Sequence, residues 1–216
     1  MLRWMAWVGL VLPLLVACGQ VEPTLTAAAI PSGWQPVQQK GFTLALPPAW
    51  QVVTAEQTDV GGTLDGLGTA NPQLRATLEQ AKQLFAGGQV RLMAFDLDPT
   101  HAAPGFTTNL SLGAVPAQGA ALKQLRSANA AQLRAMPNFA NLADSDSKVA
   151  GLAAAEFGYM MQLQDAGGAA APLRVDQYLW LYQDTQYLAT FTTTPSQFDS
   201  LMPIFRQMLD TLRMTK

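Results

Sequence analysis

The sequence is poor in the residues on which covalent cross-links and much of catalytic chemistry depend. Its 216 residues include a single cysteine, Cys18, and a single histidine, His101. One thiol cannot form a disulfide within the chain, and a Ser–His or Cys–His mechanism would have to use His101. We find no Gly-x-Ser-x-Gly elbow, no His-Glu-x-x-His motif and no Walker loop. We therefore predict that the protein is not an enzyme and needs no cofactor. A hydrolase that depends on His101 is the remaining catalytic alternative.

Charged residues are also scarce. They make up 13% of the chain, and the formal net charge is −2. No cluster of basic residues is present that could displace counterions from phosphates. This pattern excludes nucleic acid as a partner. Apolar residues make up 49% of the chain, which is enough for a substantial core.

One long apolar run is present, at the N-terminus. After Arg3 it extends from Trp4 to Ala17, which is short for a membrane span of about 20 residues but typical of a secretory signal. Leu15-Val16-Ala17-Cys18 then resembles a bacterial lipobox, in which the signal is cut before the cysteine and its sulfur receives a diacylglycerol. The alternatives are an uncleaved anchor helix with an incidental thiol, or a plain signal cut elsewhere.

These features predict three segments. Residues 1–17 are a lipoprotein signal peptide, residues 18–40 are the lipidated Cys18 and a flexible tether, and residues 41–216 are the folded domain. We expect an exported protein held to the cell membrane by its lipid, because two or three acyl chains bind a bilayer firmly. Gly19 after the cysteine permits an outer-membrane location in a cell with two membranes.

Period-two and helical patterns alternate in the first part of the domain. We predict a strand at 42–46 with residues 50–53 as its hairpin partner, and a glycine-rich loop at 57–70. Asn71 and Pro72 predict the start of a helix over 72–86. Strands are predicted at 89–98 and 105–113, and a second helix at about 117–136.

From residue 143 onward the pattern predicts an antiparallel meander followed by a helix. The strand at 173–183 is apolar on both faces, with Val175 and Leu179 on one and Tyr178 and Trp180 on the other. A strand of this kind belongs in a sheet covered on both sides. A C-terminal helix follows, which Pro203 should kink or restart. The predicted fold class is α+β: a three-layer α/β/α sandwich with a mostly antiparallel sheet of six to seven strands.

Several short motifs in this order resemble the PsbP-like family, which includes bacterial lipoproteins of the DcrB type. They are PPAW at 47–50, GLAA at 151–154, the tyrosine-rich hairpin around 178–187 and the terminal helix. The resemblance covers about residues 42–213 and implies the α/β/α sandwich. It also implies an accessory protein, extrinsic or lipid-anchored, that binds a partner and helps a membrane complex to assemble. The metal-associated histidines of PsbP have no visible equivalents in a chain with one histidine.

Asp96, Asp98 and His101 are the one group with spacing suited to a metal ion. Strand alternation puts the two aspartates on one face, and His101 could fold back toward them. Oxygen and imidazole ligands suit a hard or borderline divalent cation. The alternative is that aspartates beside a proline accept backbone hydrogen bonds as turn residues. Asp144 and Asp146 form a weaker group, which a solvated edge strand would explain.

Aromatic side chains are the candidates for a surface that binds a ligand or partner. The weak candidates are Trp34, Trp50, Tyr178, Trp180 and Tyr182, which sheet packing would explain equally well. Our first hypothesis is a lipid-anchored, non-enzymatic binding or accessory module for an envelope protein in a membrane-associated complex. The alternative is a carrier that holds a small apolar molecule or lipid in an aromatic-lined cleft.

Overall fold

The computed structural model describes residues 25–71, 74–103, 106–164 and 170–215. These residues contain four α-helices and ten β-strands, joined by turns and loops. The helices are α1 (Val60–Ala70), α2 (Arg75–Ala86), α3 (Leu122–Ala135) and α4 (Pro195–Asp210). The strands are β1 (Gln35–Gln39), β2 (Phe42–Leu46), β3 (Trp50–Thr54), β4 (Val90–Asp96), β5 (Asn109–Pro116), β6 (Phe139–Val149), β7 (Leu152–Gln164), β8 (Ala170–Tyr182), β9 (Thr185–Thr193) and β10 (Arg213–Met214).

Seven of the strands form one antiparallel sheet in the order β3-β4-β5-β9-β8-β7-β6. The four strands β6 to β9 follow one another along the chain and give the predicted meander, although β9 also pairs with β5 and so joins the two halves of the sheet. The predicted α+β class and the number of strands are confirmed.

Both faces of this sheet are covered, as the two apolar faces of β8 predicted. On one face, α3 packs on Phe157, Val175 and Leu179, while α1 and α2 cover the end formed by β3 and β4. On the other face, α4 and β2 cover Trp180 and Phe191. These layers confirm the α/β/α sandwich.

A second, three-stranded sheet contributes to the layer that contains α4. Its order is β1-β2-β10. We predicted that residues 50–53 pair with β2, and this is wrong: β3 pairs with β4 in the large sheet, and β2 pairs with β1 and β10. Pro47 and Pro48 lie between β2 and β3, where the chain crosses from the small sheet to the large one.

The helices differ from the prediction in two places. The glycine-rich segment forms α1, not a loop, because Asp59 caps its N-terminus by accepting from the Gly62 amide at 2.7 Å and Leu64 is fully buried. The predicted helix start at Pro72 lies outside the described residues, and α2 is helical from Arg75. The last helix, α4, continues through Pro203, so the predicted restart does not occur.

The N-terminal end of the described chain lies against the domain. The Thr26 amide donates to the Ala150 carbonyl at 3.2 Å, and the Ala28 amide donates to the Asp210 carbonyl at 2.7 Å. Strand β1 lies inside the segment 18–40 that we assigned to the tether, so regular structure begins earlier than residue 41. Within the described ranges, no helix combines the length and hydrophobicity needed to cross a bilayer.

Candidate functional site

The structure brings Asp96 and His101 together, as their spacing suggested. Asp96 is the last residue of β4, and a short 3-10 helix at Pro99–His101 folds the imidazole back until its Nδ1 lies 2.7 Å from Asp96 Oδ2. The Asp96 side chain is 1% exposed and that of His101 is 26% exposed. Burial raises the pKa of Asp96, against the hydrogen bonds from the Asp98 amide and His101 that lower it. The pair holds the ring by Nδ1 and leaves Nε2 as the nitrogen that could take a ligand or a proton.

The side chain of Asp98 does not join this pair, although its amide donates to Asp96 Oδ1 at 3.0 Å. Its Oδ1 accepts from the amide and the hydroxyl of Thr100, at 2.9 and 2.6 Å, and so caps the 3-10 helix. This is the turn role that was the alternative to metal binding. In the ranges that the structure describes, no group of three or more His, Cys, Asp and Glu side chains is arranged to hold a metal ion. A metal role for Asp96, Asp98 and His101 stays a prediction.

The backbone of His101 is held by a contact with α4. The Gln197 side-chain amide donates to the His101 carbonyl at 2.6 Å and so ties the 3-10 helix to the start of α4. Among the hydrogen bonds of the described residues, no hydroxyl or thiol pairs with the His101 ring.

Asp144 and Asp146 lie on β6, which is an edge strand of the large sheet. Both carboxylates bind the guanidinium of Arg126 on α3, and Asp146 is 93% exposed. The explanation by a solvated edge strand fits this arrangement. The two residues link α3 to the edge of the sheet.

The aromatic candidates divide between the core and the surface. Trp50, Tyr178 and Trp180 are 7%, 3% and 0% exposed, and each packs on another aromatic ring in the layer below α4. These three contribute no surface to a ligand or partner, contrary to our expectation, because apolar strand faces bury their large side chains first. Trp34 and Tyr182 are half-buried, and Tyr182 lines a shallow cleft with Lys40 and Arg91.

Sequence reasoning missed the feature that we regard as the candidate site. A cleft of about 550 Å³ separates α4 from strands β6, β7 and β8, and we call it the α4 cleft. Its lining combines polar, charged and apolar side chains. They are Ala143, Ser145, Glu156, Gly158, Arg174, Asp176, Phe198, Asp199, Met202, Pro203 and Arg206.

Strand register explains how the charged side chains reach this cleft. Gly158 lies opposite Asp176, and Glu156 lies opposite Tyr178, on neighbouring strands β7 and β8. Because side chains two apart on a strand share a face, Arg174 and Asp176 point the same way as Tyr178. The charged side chains of Arg174 and Asp176 therefore continue, along the same face of β8, the row of apolar side chains that α4 covers.

Asp176 is the most deeply buried ionisable group of the cleft. It is 3% exposed, and its Oδ2 accepts a hydrogen bond from the Tyr178 hydroxyl at 2.9 Å. Burial, together with the neighbouring charge of Glu156, raises the pKa of Asp176 to about 6. The sequence did contain a signal for this site. Arg174 and Asp176 are charged residues at alternate positions of a largely apolar strand, on the face that also presents Tyr178.

The lipidation site at Cys18 lies outside the described residues, so acylation there stays a prediction. The described chain begins seven residues later, at Leu25. Its first hydrogen bonds, to Ala150 and Asp210, connect it to the β6–β7 turn and to the C-terminal end of α4.

No protein-family model matches the chain, and no curated protein is similar to it in sequence. Solved structures of similar fold include LpqN, involved in cell envelope biogenesis of Mycobacterium tuberculosis, at 12% identity and a TM-score of 0.49, with 85% of this chain and 91% of that one covered. Cyanobacterial PsbP from Synechocystis is similar at 12% identity and a TM-score of 0.47, with coverage of 93% and 99%. The Ran-binding protein Mog1p of Saccharomyces cerevisiae is similar at 8% identity and a TM-score of 0.48, with coverage of 83% and 94%. A PsbP structure is thus among those that this chain resembles, as the sequence motifs predicted, and the likeness concerns the fold.

Proposed function

We propose that this chain is an exported lipoprotein whose domain is a non-enzymatic binding module for a protein of the cell envelope. The lipid on Cys18 holds the domain at the membrane, and the α4 cleft receives the partner. The observation that carries the proposal is the α4 cleft itself, an open concave site with charged side chains on rigid strands. Binding constellations on strands and helices are held more accurately than those on loops.

The position of the N-terminal segment supports this arrangement. Thr26 and Ala28 bind the β6–β7 turn and the C-terminal end of α4. The α4 cleft involves α4 residues from Phe198 to Arg206, in the middle of that helix, and none of residues 25–28 lines it. The described N-terminal residues therefore leave the cleft uncovered.

The alternative function, a carrier of an apolar molecule, receives less support from the geometry. Trp50, Tyr178 and Trp180, which were to line its cleft, fill the core instead. The α4 cleft contains two arginines and three carboxylic acids, and such a lining disfavours an apolar ligand. A site for a polar partner fits these residues better.

Site-specific crosslinking in cells tests the binding role. A photo-reactive amino acid replaces Asp199, which is exposed at the cleft, and in the matched control it replaces Lys123, which is exposed on α3 at the opposite face. We expect one reproducible envelope protein to crosslink from position 199 and not from position 123. Equal crosslinking from both positions, or none from position 199, would contradict the proposal.

Mass spectrometry of the mature N-terminus tests the anchoring role. We expect a chain that begins at Cys18 and carries acyl groups, recovered in the membrane fraction. In Cys18→Ala the chain should keep its leader or leave the membrane fraction after cleavage elsewhere. A wild-type chain with an unmodified thiol would overturn the anchoring proposal and leave the binding role to be judged by crosslinking.

A further inference from the structure

Among the described residues, the α4 cleft contains a cation, Arg174, whose Nε has no acceptor. Arg174 Nε is buried and has no hydrogen-bond partner within the described part of the chain. No carboxylate of the described residues lies within 4.0 Å of its guanidinium nitrogens. A buried donor of this kind costs free energy unless a partner supplies an acceptor.

The guanidinium of Arg174 is held in place by an aromatic ring. Its central carbon lies 4.8 Å from the centre of the Phe198 ring on α4. This cation–π contact restricts the orientation of the guanidinium plane without using any of its N–H donors. The Nη donors, of which Nη2 lies beside Gly158, therefore stay available for a planar acceptor.

A glycine keeps space open beside this group. A β-carbon at Gly158 would lie 3.2 Å from Arg174 Nη2 and 3.8 Å from Asp176 Oδ1. Because residue 158 has no side chain, a depression remains on the floor of the cleft between these two polar groups. Small residues on the neighbouring edge strand, Ala143 and Ser145, extend the open floor.

The other charges of the cleft already have partners or face water. Arg206 lies 3.4 Å from Glu156, and Asp176 accepts from Tyr178. Asp199 is exposed. The unmet requirement of the cleft is thus one acceptor at Arg174.

We propose that the α4 cleft binds a single carboxylate group of a partner polypeptide, with Arg174 as its principal donor. This inference rests on the proposed binding role and gives its chemistry. A guanidinium matches a planar carboxylate with two parallel hydrogen bonds. A phosphate would bring a second negative charge next to Glu156, Asp176 and Asp199, which disfavours it. Met202 and Pro203 supply apolar surface for the residue that carries the carboxylate.

The test uses the full mature lipoprotein in detergent micelles and three short acetylated alanine peptides. The first peptide has a free carboxyl terminus, the second is amidated, and the third is amidated but contains one glutamate. Binding is followed through the NMR signal of the Arg174 side-chain Nε–H. We expect the first or the third peptide to shift this signal, which also tells whether the carboxylate comes from a chain terminus or a side chain. The uncharged amidated peptide should leave the signal unchanged.

Variants separate the role of Arg174 from general charge. Arg174→Gln should weaken carboxylate binding at least about tenfold, because a buried charged partner is lost. Arg174→Lys keeps the charge without the planar fork and should give an intermediate affinity. Arg134→Gln, on the exposed face of α3, is the matched control and should bind as the wild type does.

Binding should also depend on pH in a characteristic way. The groups around the carboxylate are Asp176 and Tyr178 on β8, Glu156 on β7, and Asp199 and Arg206 on α4. Asp176 becomes neutral as the pH falls from 7.5 to 5, whereas a peptide carboxyl terminus, with a pKa of about 3.5, stays ionised. Affinity should therefore rise several-fold toward pH 5, and Asp176→Asn should remove most of this dependence.

Three results would overturn the inference: no shift of the Arg174 signal at millimolar peptide, equal binding of the uncharged peptide, or unchanged binding in Arg174→Gln. If crosslinking from position 199 still captures a partner in that case, the proposed binding function stands and only the carboxylate chemistry is wrong. If the peptides bind but no partner is captured in cells, the chemistry stands and the proposed function is wrong.

Discussion

Asp176 shows at the scale of a single residue why a charged group on an apolar strand requires explanation. Its carboxyl group is almost completely buried and has one hydrogen-bond donor, Tyr178. Burial favours the neutral form, which raises the pKa of Asp176 to about 6. The unfolded chain has the ordinary value of about 3.9. The fold is therefore destabilised when this carboxyl group ionises.

The first prediction concerns the pH dependence of stability. Since the folded pKa lies above the unfolded one, the free energy of unfolding should fall as the pH rises from about 4 through about 6, by up to about 3 kcal/mol in total. Asp176→Asn should therefore be more stable than the wild type at pH 7.5 by an amount of this order, and the difference should vanish at pH 4. Urea unfolding at both pH values measures it. Because Glu156, Arg174 and Arg206 are present in both proteins, the comparison isolates the contribution of Asp176.

The second prediction concerns two glycines with positive φ. Gly33 has φ +82° and open space around its β-carbon position, whereas Gly41 has φ +92° and a β-carbon there would lie 2.6 Å from Tyr187 Oη. Gly33→Ala should cost about 1 to 2 kcal/mol through backbone strain alone. Gly41→Ala should cost about 1 to 3 kcal/mol more, because the tyrosine must move.

Thermal or urea unfolding of the two variants gives this difference directly. Tyr187→Phe in the Gly41→Ala background removes the clashing hydroxyl and should recover part of the loss. Equal losses for the two single variants would show that Tyr187 yields without cost, contrary to the prediction.

Single residues of the candidate sites could be predicted only where they lie close in sequence. The spacing of Asp96 and His101 indicated that they could meet, and they do at 2.7 Å. The α4 cleft was missed because its parts come from β6, β7, β8 and α4. The pattern that predicted the meander does not show the register of these strands or where α4 crosses them. The alternation that places Arg174 and Asp176 beside Tyr178 was visible, but it indicated a face and not a cleft.

At the scale of elements, α1 shows how local composition can mislead. The segment 57–70 contains four glycines, a composition typical of a loop. Packing outweighs this preference: Leu64 and Leu67 pack in the cluster that α1 and α2 form over β3 and β4, and Asp59 caps the first turn. Tertiary contacts of this kind routinely override helix propensity.

The third prediction follows from the glycines of α1. A β-carbon at Gly66 would meet nothing within 4 Å, so Gly66→Ala should stabilise the protein by about 0.5 to 1 kcal/mol. A β-carbon at Gly68 would lie 3.3 Å from Leu78 Cδ1 on α2, so Gly68→Ala should gain less or destabilise. Urea unfolding of both variants tests the pair. A loss of stability in Gly66→Ala would mean that α1 does not form as described.

The two strand errors have separate physical causes. We expected 42–46 and 50–53 to pair because they are separated by a short turn, yet the chain crosses from the small sheet to the large one at Pro47 and Pro48. Strand β1 was missed because its sequence, QPVQQ, lacks a strong apolar alternation. It is positioned by β2, with which it pairs and whose own residues are mostly buried.

At the scale of the whole molecule, the layer order could be predicted because it depends on the apolar character of both faces of β8, which the sequence shows. Val175 and Leu179 alternate with Tyr178 and Trp180 on β8, and both sets are buried in the structure. Two apolar faces require two covering layers. The small sheet that completes one of these layers could not be predicted, because β10 is only two residues long.

The orientation of the domain on the membrane also belongs to this scale. Leu25, Ala150 and Arg213 line one shallow cleft, and Asp210 at the end of α4 binds Ala28. The seven Cα–Cα steps from Cys18 to Leu25 can span at most about 25 Å. Any lipid attached at Cys18 therefore lies within about 25 Å of Leu25, at the end of the domain with Arg213. The N-terminal end of α4 lies one helix length, about 24 Å, from Asp210 at this end.

The fourth prediction uses this geometry. Ser196 and Arg213 are both exposed, one at each end of the α4 layer, and Cys18 is the only native thiol. If Cys18 is acylated, a thiol-reactive fluorophore labels only the introduced cysteine in Ser196→Cys or Arg213→Cys. In vesicles that contain lipids with a quencher on the headgroup, we expect stronger quenching at position 213 than at position 196. Stronger quenching at position 196 would mean that the N-terminal end of α4 faces the bilayer. The membrane would then cover the α4 cleft.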